Sequence, residues 1–200
     1  MRWRTLCSIA GVMLLLLGSG PAEGKNFNHL LRGDYAFSGE ATCLVSTAGF
    51  NTTNLTPLGQ SFVFSFSVQG VRTFNADGTG HVTARVVRIT HPSPIFPGSA
   101  SSTDFEADFT YEVAPDLTFT VETSILTGTI LTGLFKNQTI TIANFPKFSG
   151  RISQDHRTLT LAHDEPTIET QTRFVGNVLQ STEQRICHRS RILLELKGVK

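Results

Sequence analysis

Asp155-His156 and His163-Asp164-Glu165 flank the run Thr158 to Ala162, bringing two histidines and three carboxylates of the kinds that bind zinc or move protons. Read as a strand of about seven residues, that run holds them over ~20 Å apart at ~3.3 Å per residue, which excludes one shared metal site. Each group then reads as a solvated turn. His81, Thr83 and Arg85 share a parity that could line a barrel and orient a ligand. The opposite parity, Val82, Ala84 and Val86, is the better core, so the polar set is expected to face solvent. Arg32-Gly33-Asp34 spells an integrin-binding tripeptide, but it runs into a strand rather than a loop tip and reads as coincidence. Asn51, Asn54 and Asn137 head N-x-T sequons. No hydrolase, zinc-protease, Walker or dinucleotide fingerprint occurs, so the sequence assigns no catalytic residue, no metal ligand and no cofactor.

The elements that must position such groups follow from composition. The chain has 200 residues, 40% of them hydrophobic, enough for one domain with a core. Its 17 basic side chains nearly cancel its 16 acidic ones, which argues against nucleic acid as a partner. Threonine occurs 26 times and phenylalanine 15, a bias toward strands.

Residues 1–24 read as a secretory signal, with Arg2 and Arg4 ahead of the apolar run Ile9 to Leu17 and Ala22-x-Gly24 before a cut at Lys25. The expected product is a β-barrel domain over 25–200, secreted or periplasmic, soluble and without a membrane anchor. Cys7 leaves with the signal. Cys43 and Cys187 remain and, lacking any C-x-x-C partner, are expected to form one disulfide. Closing a loop of about 145 residues contributes roughly 5 kcal/mol on the chain-entropy account.

Period-two alternation dominates the rest. Phe62, Phe64, Phe66 and Val68 make one face; Phe105, Ala107, Phe109, Tyr111 and Val113 make another; Tyr35, Phe37, Ala41, Cys43 and Val45 make a third. Leu117, Phe119 and Val121 follow a turn at Pro115-Asp116, and Asp77-Gly78 supplies a hairpin. The spacing gives eight to eleven short strands, the pattern of an all-β sandwich or an up-and-down antiparallel barrel. Two longer loops, Thr47 to Gly59 and His91 to Asp104, are expected at one rim.

The entry Asn28-His29-Leu30-Leu31-Arg32-Gly33-Asp34-Tyr35-Ala36-Phe37 resembles that of the lipocalin-like, or calycin, barrels: a helical turn, then Gly-x-aromatic opening the first strand. It is similar also to short exported bacterial proteins that begin Leu-x-Gly-x-Tyr-x-Phe and carry an Asp-Gly-x-Gly hairpin. Tyr35 stands where lipocalins have tryptophan, and the absence of tryptophan after residue 24 disfavours avidin-like biotin binding. The resemblance implies a closed antiparallel barrel.

Three functions remain open at this stage. A barrel could bind an apolar or amphipathic small molecule at a mouth lined by Tyr35, Phe37, Phe62, Phe64, Phe66, Phe105, Phe109 and Phe119. A barrel filled by those rings could be a scaffold or surface-interaction module. A barrel of the allene oxide cyclase type could catalyse an isomerisation, which a buried carboxylate or histidine beside a cavity would favour.

If first and last strands pair at the seam with Cys43 facing Cys187, then Phe37 faces Leu193, Gly39 faces Arg191 and Ala41 faces Arg189. Arg189 and Arg191 then share the cysteine's face. Either that face is interior, with both guanidinium groups partnered and stacked on Tyr35 or Phe37, or they point outward while Ile192, Leu194 and Leu196 fill the core.

Overall fold

The computed structural model describes residues 26–94 and 96–197. The segment read as a signal lies outside them. Aromatic and β-branched residues at alternate positions make eleven antiparallel strands: β1 (Arg32–Ser46), β2 (Ser61–Asn75), β3 (Thr79–Thr90), β4 (Ser99–Val113), β5 (Thr118–Thr123), β6 (Leu126–Ile130), β7 (Thr139–Ala143), β8 (Phe148–Ile152), β9 (Thr158–His163), β10 (Glu169–Val175) and β11 (Val178–Glu195). A single 3₁₀ turn, Asn28–Leu30, precedes them.

The sheet closes on itself because β1 pairs with β2 on one edge and with β11 on the other. The seam has the register set by the cysteines: Cys43 opposite Cys187, Ala41 opposite Arg189, Gly39 opposite Arg191 and Phe37 opposite Leu193. Cys43 and Cys187 form a disulfide, with Cα atoms 4.0 Å apart.

The wall between β4 and β11 is split into two panels. Phe109–Val113 of β4 pairs with β5, whereas Thr103–Glu106 pairs with β6. On the other side, Ser190–Leu194 of β11 pairs with β9, and the preceding half pairs with β10. One panel is therefore β5-β8-β9 and the other β6-β7-β10, so eight strands surround the interior at either level. A ring of eight is the size that side chains can just fill or that can hold one small ligand.

One end is closed. Tyr35, Phe74, Phe109, Tyr111 and Phe119 are buried there, with Phe74 edge-on to Tyr35 at 5.3 Å and to Tyr111 at 5.0 Å. The 3₁₀ turn caps this plug. Buried Asn28 donates from Nδ2 to the Tyr111 carbonyl (3.2 Å) and accepts from the Val113 amide (2.9 Å), while the Tyr111 hydroxyl donates to the carbonyls of Asn28 and Leu31. The β2–β3 hairpin at this end turns through Gly78 at positive φ, as Asp-Gly predicts, and through Ala76, also at positive φ, in place of Asp77.

The opposite rim carries the long connections 47–60 and 91–98 and the loop 131–138, beside the β10–β11 hairpin. The second loop is shorter than the sequence suggests. Residues 99–104, read as loop, are strand, because β3 and β6 offer ladder partners on both edges of a serine-rich segment with little strand preference of its own.

Candidate functional site

Above the plug the interior is hollow. A cavity of about 290 Å³ lies between the plug and the long-loop rim. Its volume sits near the lower end of the ~300–1,000 Å³ typical of small-molecule sites. Phe37, Phe62, Phe64, Phe66, Phe105, Arg189 and Arg191 of the sequence-predicted set line it. Tyr35, Phe109 and Phe119 do not, and are corrected to plug residues: each sits at the closed-end half of its strand, and the Tyr35 hydroxyl donates to the His156 carbonyl at 2.9 Å.

The choice left open for the last strand is settled by parity. Arg185, Cys187, Arg189, Arg191 and Leu193 point inward and are buried, whereas Ile192, Leu194 and Leu196 are about half exposed. The glycine opposite makes this possible: a Cβ on Gly39 would lie 2.6 Å from Arg191 Cδ, so the arginine stem occupies the space a side chain would need. The ring partners differ from those expected. Arg189 packs over Phe145 (4.7 Å) and Phe66 (5.9 Å), and Arg191 over Phe66 (5.8 Å), because Tyr35 and Phe37 lie nearer the plug.

Four further arginines line the same cavity: Arg72, Arg88, Arg173 and Arg185. The alternation carried the signal for each. Arg72 continues the parity of Phe62 to Val68 through Gly70, and Arg88 continues that of Val82, Ala84 and Val86. A guanidinium on an inward parity runs against the usual exposure of arginine.

Among the described residues, two buried carboxylates, Glu169 and Glu183, stand beside these six cations. Glu169, fully buried, accepts from Arg185 Nε at 2.8 Å and from both terminal nitrogens of Arg189, one at 2.7 Å. Burial alone would raise its carboxyl, but the charges and hydrogen bonds of Arg185 and Arg189 outweigh that and hold it below the usual carboxylate range. Glu183 accepts from Gln171 Nε2, and Gln171 Oε1 accepts from Arg185 Nη1 at 2.7 Å. Arg185 and Arg189 are thereby satisfied.

Arg72 is not. Its Nε and Nη1 are buried without a hydrogen-bond partner among the described residues, and its guanidinium lies beside the rings of Phe109, Phe37 and Phe148 at 5.1–5.9 Å. Arg191 engages the Glu40 and Ser190 carbonyls through Nη1 alone. Burial pushes Arg72 down to about 10; burial, then the Arg189 and Arg72 charges, pushes Arg191 to about 9. Both remain cations at neutral pH.

His81 and Arg85 face solvent, paired with Asp108 (2.8 Å) and Asp104 (2.7 Å). Asp155 and His156 sit in the β8–β9 turn. His163 is a correction. Its imidazole is not in a solvated turn but packs against Phe148 at 4.2 Å, with Nδ1 3.3 Å from the Cys187 carbonyl and Nε2 buried without a partner. As the last residue of β9, it turns toward the seam instead of following Asp164 outward. Burial, reinforced by the Arg189 charge, pushes it down to about 4.

No protein-family model matches this chain, and no curated protein is similar to it.

Proposed function

We propose that the protein is an exported, lipocalin-like barrel that binds an amphipathic small molecule in this cavity. The observation that carries the reading is the hollow itself: rings and aliphatic side chains form walls above a plugged floor, and about 290 Å³ stays open toward the long-loop rim. A filled scaffold barrel would have no such space. The cyclase reading needs an acid or base free to take a proton beside the substrate. Glu183, the buried carboxylate that lines the cavity, instead accepts from Gln171 Nε2, and Glu169 in the same network has both oxygens engaged by arginines, which supports binding over catalysis.

Export rests on the Arg2/Arg4, Leu-rich and Ala22-x-Gly24 pattern, and the disulfide is compatible with an oxidising compartment. N-terminal sequencing of recovered protein should begin at or near Lys25. Because the chain beyond residue 24 has no tryptophan, a fluorescent reporter can be read without interference. The neutral dye N-phenyl-1-naphthylamine should brighten saturably with one site per chain. Linear, non-saturating fluorescence, with no retained small molecule in native mass spectrometry, would remove the binding reading.

A further inference from the structure

The cavity walls combine rings and aliphatic side chains with arginines at several levels, and two of those arginines, Arg72 and Arg191, stand at its floor. Arg72 and Arg191 extend from β2 and β11, the two neighbours of β1, and the side chains between them on β1 are Phe37 and the missing one of Gly39. Arg185 and Arg189 share Glu169 as counter-ion, with Gln171 accepting a further bond from Arg185, while Arg88 and Arg173, nearer the rim, donate from Nε to the hydroxyls of Thr90 and Ser181. Deepest in the cavity, beside the plug, stand the two remaining guanidinium groups, Arg72 without a protein partner on two of its nitrogens and Arg191 tethered by a single nitrogen.

An isolated buried charge is costly, and a fold that needed only packing there would be better served by an apolar side chain of the same length. Three flanking rings soften the cost of Arg72 but leave its donors unused. What completes it is an anion, and the planar donor fork of a guanidinium matches a carboxylate's two oxygens.

We infer that the occupant is an amphipathic carboxylate bound head down, its carboxylate between Arg72 and Arg191 and its apolar tail running past Phe66 and Phe64 toward the rim. This rests on the ligand-binding reading and adds the sign and position of the ligand's charge. The tail's path is long enough: from Val68 to Phe62 the β2 wall rises ~20 Å at ~3.3 Å per residue.

The test is displacement of N-phenyl-1-naphthylamine at pH 7.5 by three chains of equal length, dodecanoate, 1-dodecanol and dodecylamine, each below its micelle concentration. Dodecanoate should compete at least about tenfold better than dodecanol, and dodecylamine should not compete. In Arg72→Met, dodecanoate should weaken by about 10- to 100-fold, the range for hydrogen bonds to a charged group, while dodecanol is unchanged. The ligand-free variant should also unfold at a urea concentration no lower than the parent. A purely structural Arg72 predicts the reverse, a lower midpoint with no change in the dodecanoate-to-dodecanol ratio. Should Arg72→Met fail to fold, Arg191→Met supplies the same comparison of chains. Equal competition by dodecanoate and dodecanol overturns the inference while leaving the binding reading intact. Failure of the dye and dodecanol alike overturns the binding reading itself.

Discussion

Glu169→Gln removes one negative charge from the most enclosed ionic group in the barrel and changes almost nothing in volume. Glu169 and Arg189 are essentially without solvent contact, and Arg185 has little. The glutamine amide would keep one acceptor oxygen but turn an N–H₂ toward a guanidinium that also donates. Two buried cations would lose their counter-charge, and breaking a buried pair in this way costs ~3–5 kcal/mol. Domain stabilities are only ~5–15 kcal/mol, and each kilocalorie shifts the melting point of a domain this size by ~2–4 °C. The expected fall is therefore ~6–20 °C, with a matching shift in the urea midpoint by circular dichroism, disulfide intact, at pH 7. The cost depends on pH in a defined direction. Since the folded carboxyl is held below its unfolded value, its contribution is complete above the ordinary glutamate pKa of ~4.3 and disappears as pH falls through the lower folded value. Parent and variant should converge in strong acid. A Glu169→Gln protein within 1 kcal/mol of the parent at pH 7 would falsify the assignment of Glu169 as counter-ion to both arginines.

Three other outcomes are expected. Phe64→Ala, at a position 1% exposed, should lose ~3–5 kcal/mol, whereas Ser65→Ala, whose hydroxyl faces Thr42 and His91 outside, should lose little; equal losses in urea melts would contradict the inward assignment. His163 has a folded pKa below its unfolded one, so stability should be complete above pH 6.5 and fall between there and about 4. The full conversion, ~3 kcal/mol, shrinks to ~1–2 kcal/mol for a ring still partly solvated, and His163→Phe should abolish that slope; an unchanged slope in the variant would assign it elsewhere. Replacing Cys43 and Cys187 together by alanine should cost up to ~5 kcal/mol in denaturant at fixed pH, and a loss below 1 kcal/mol would show that the seam ladder holds the ring without its crosslink.

The seam was legible because two cysteines fix a register and a register fixes faces: pairing Cys43 with Cys187 already sets Gly39 against Arg191. The aromatic walls were legible because alternation is local. The split wall was not. β6 carries a central glycine and only Leu126 and Ile130 as large apolar residues, and nothing local says that β5 will pair with β8 rather than with β6. Glu169 was hidden for a related reason. Counting back from the turn at Gly176-Asn177 would put it opposite Gln184, but a bulge between Arg173 and Phe174 shifts the ladder by one residue and brings it opposite Arg185. One extra residue in the hairpin thus decides whether the carboxylate meets the arginine, and side-chain periodicity does not reveal a bulge.

The ring closes between its first strand and its last, and that arrangement imposes an order in time. A chain growing from its N-terminus can lay down β1 to β4 as a meander, since each pairs with the next. It cannot become a cylinder until β11 has emerged, because that single strand supplies the outer ladder of β1, the ends of both panels and three of the interior arginines. Until then Glu169 has neither Arg185 nor Arg189, Cys43 has no partner, and the phenylalanine faces of β1 and β2 remain open to water. A chain running from Lys25 and shortened before residue 178 should accordingly be protease-sensitive and oxidise Cys43 only with outside thiols. Cooperativity arrives with the final eighteen-residue strand, late and all at once, as expected for a fold whose decisive contacts are its most distant in sequence.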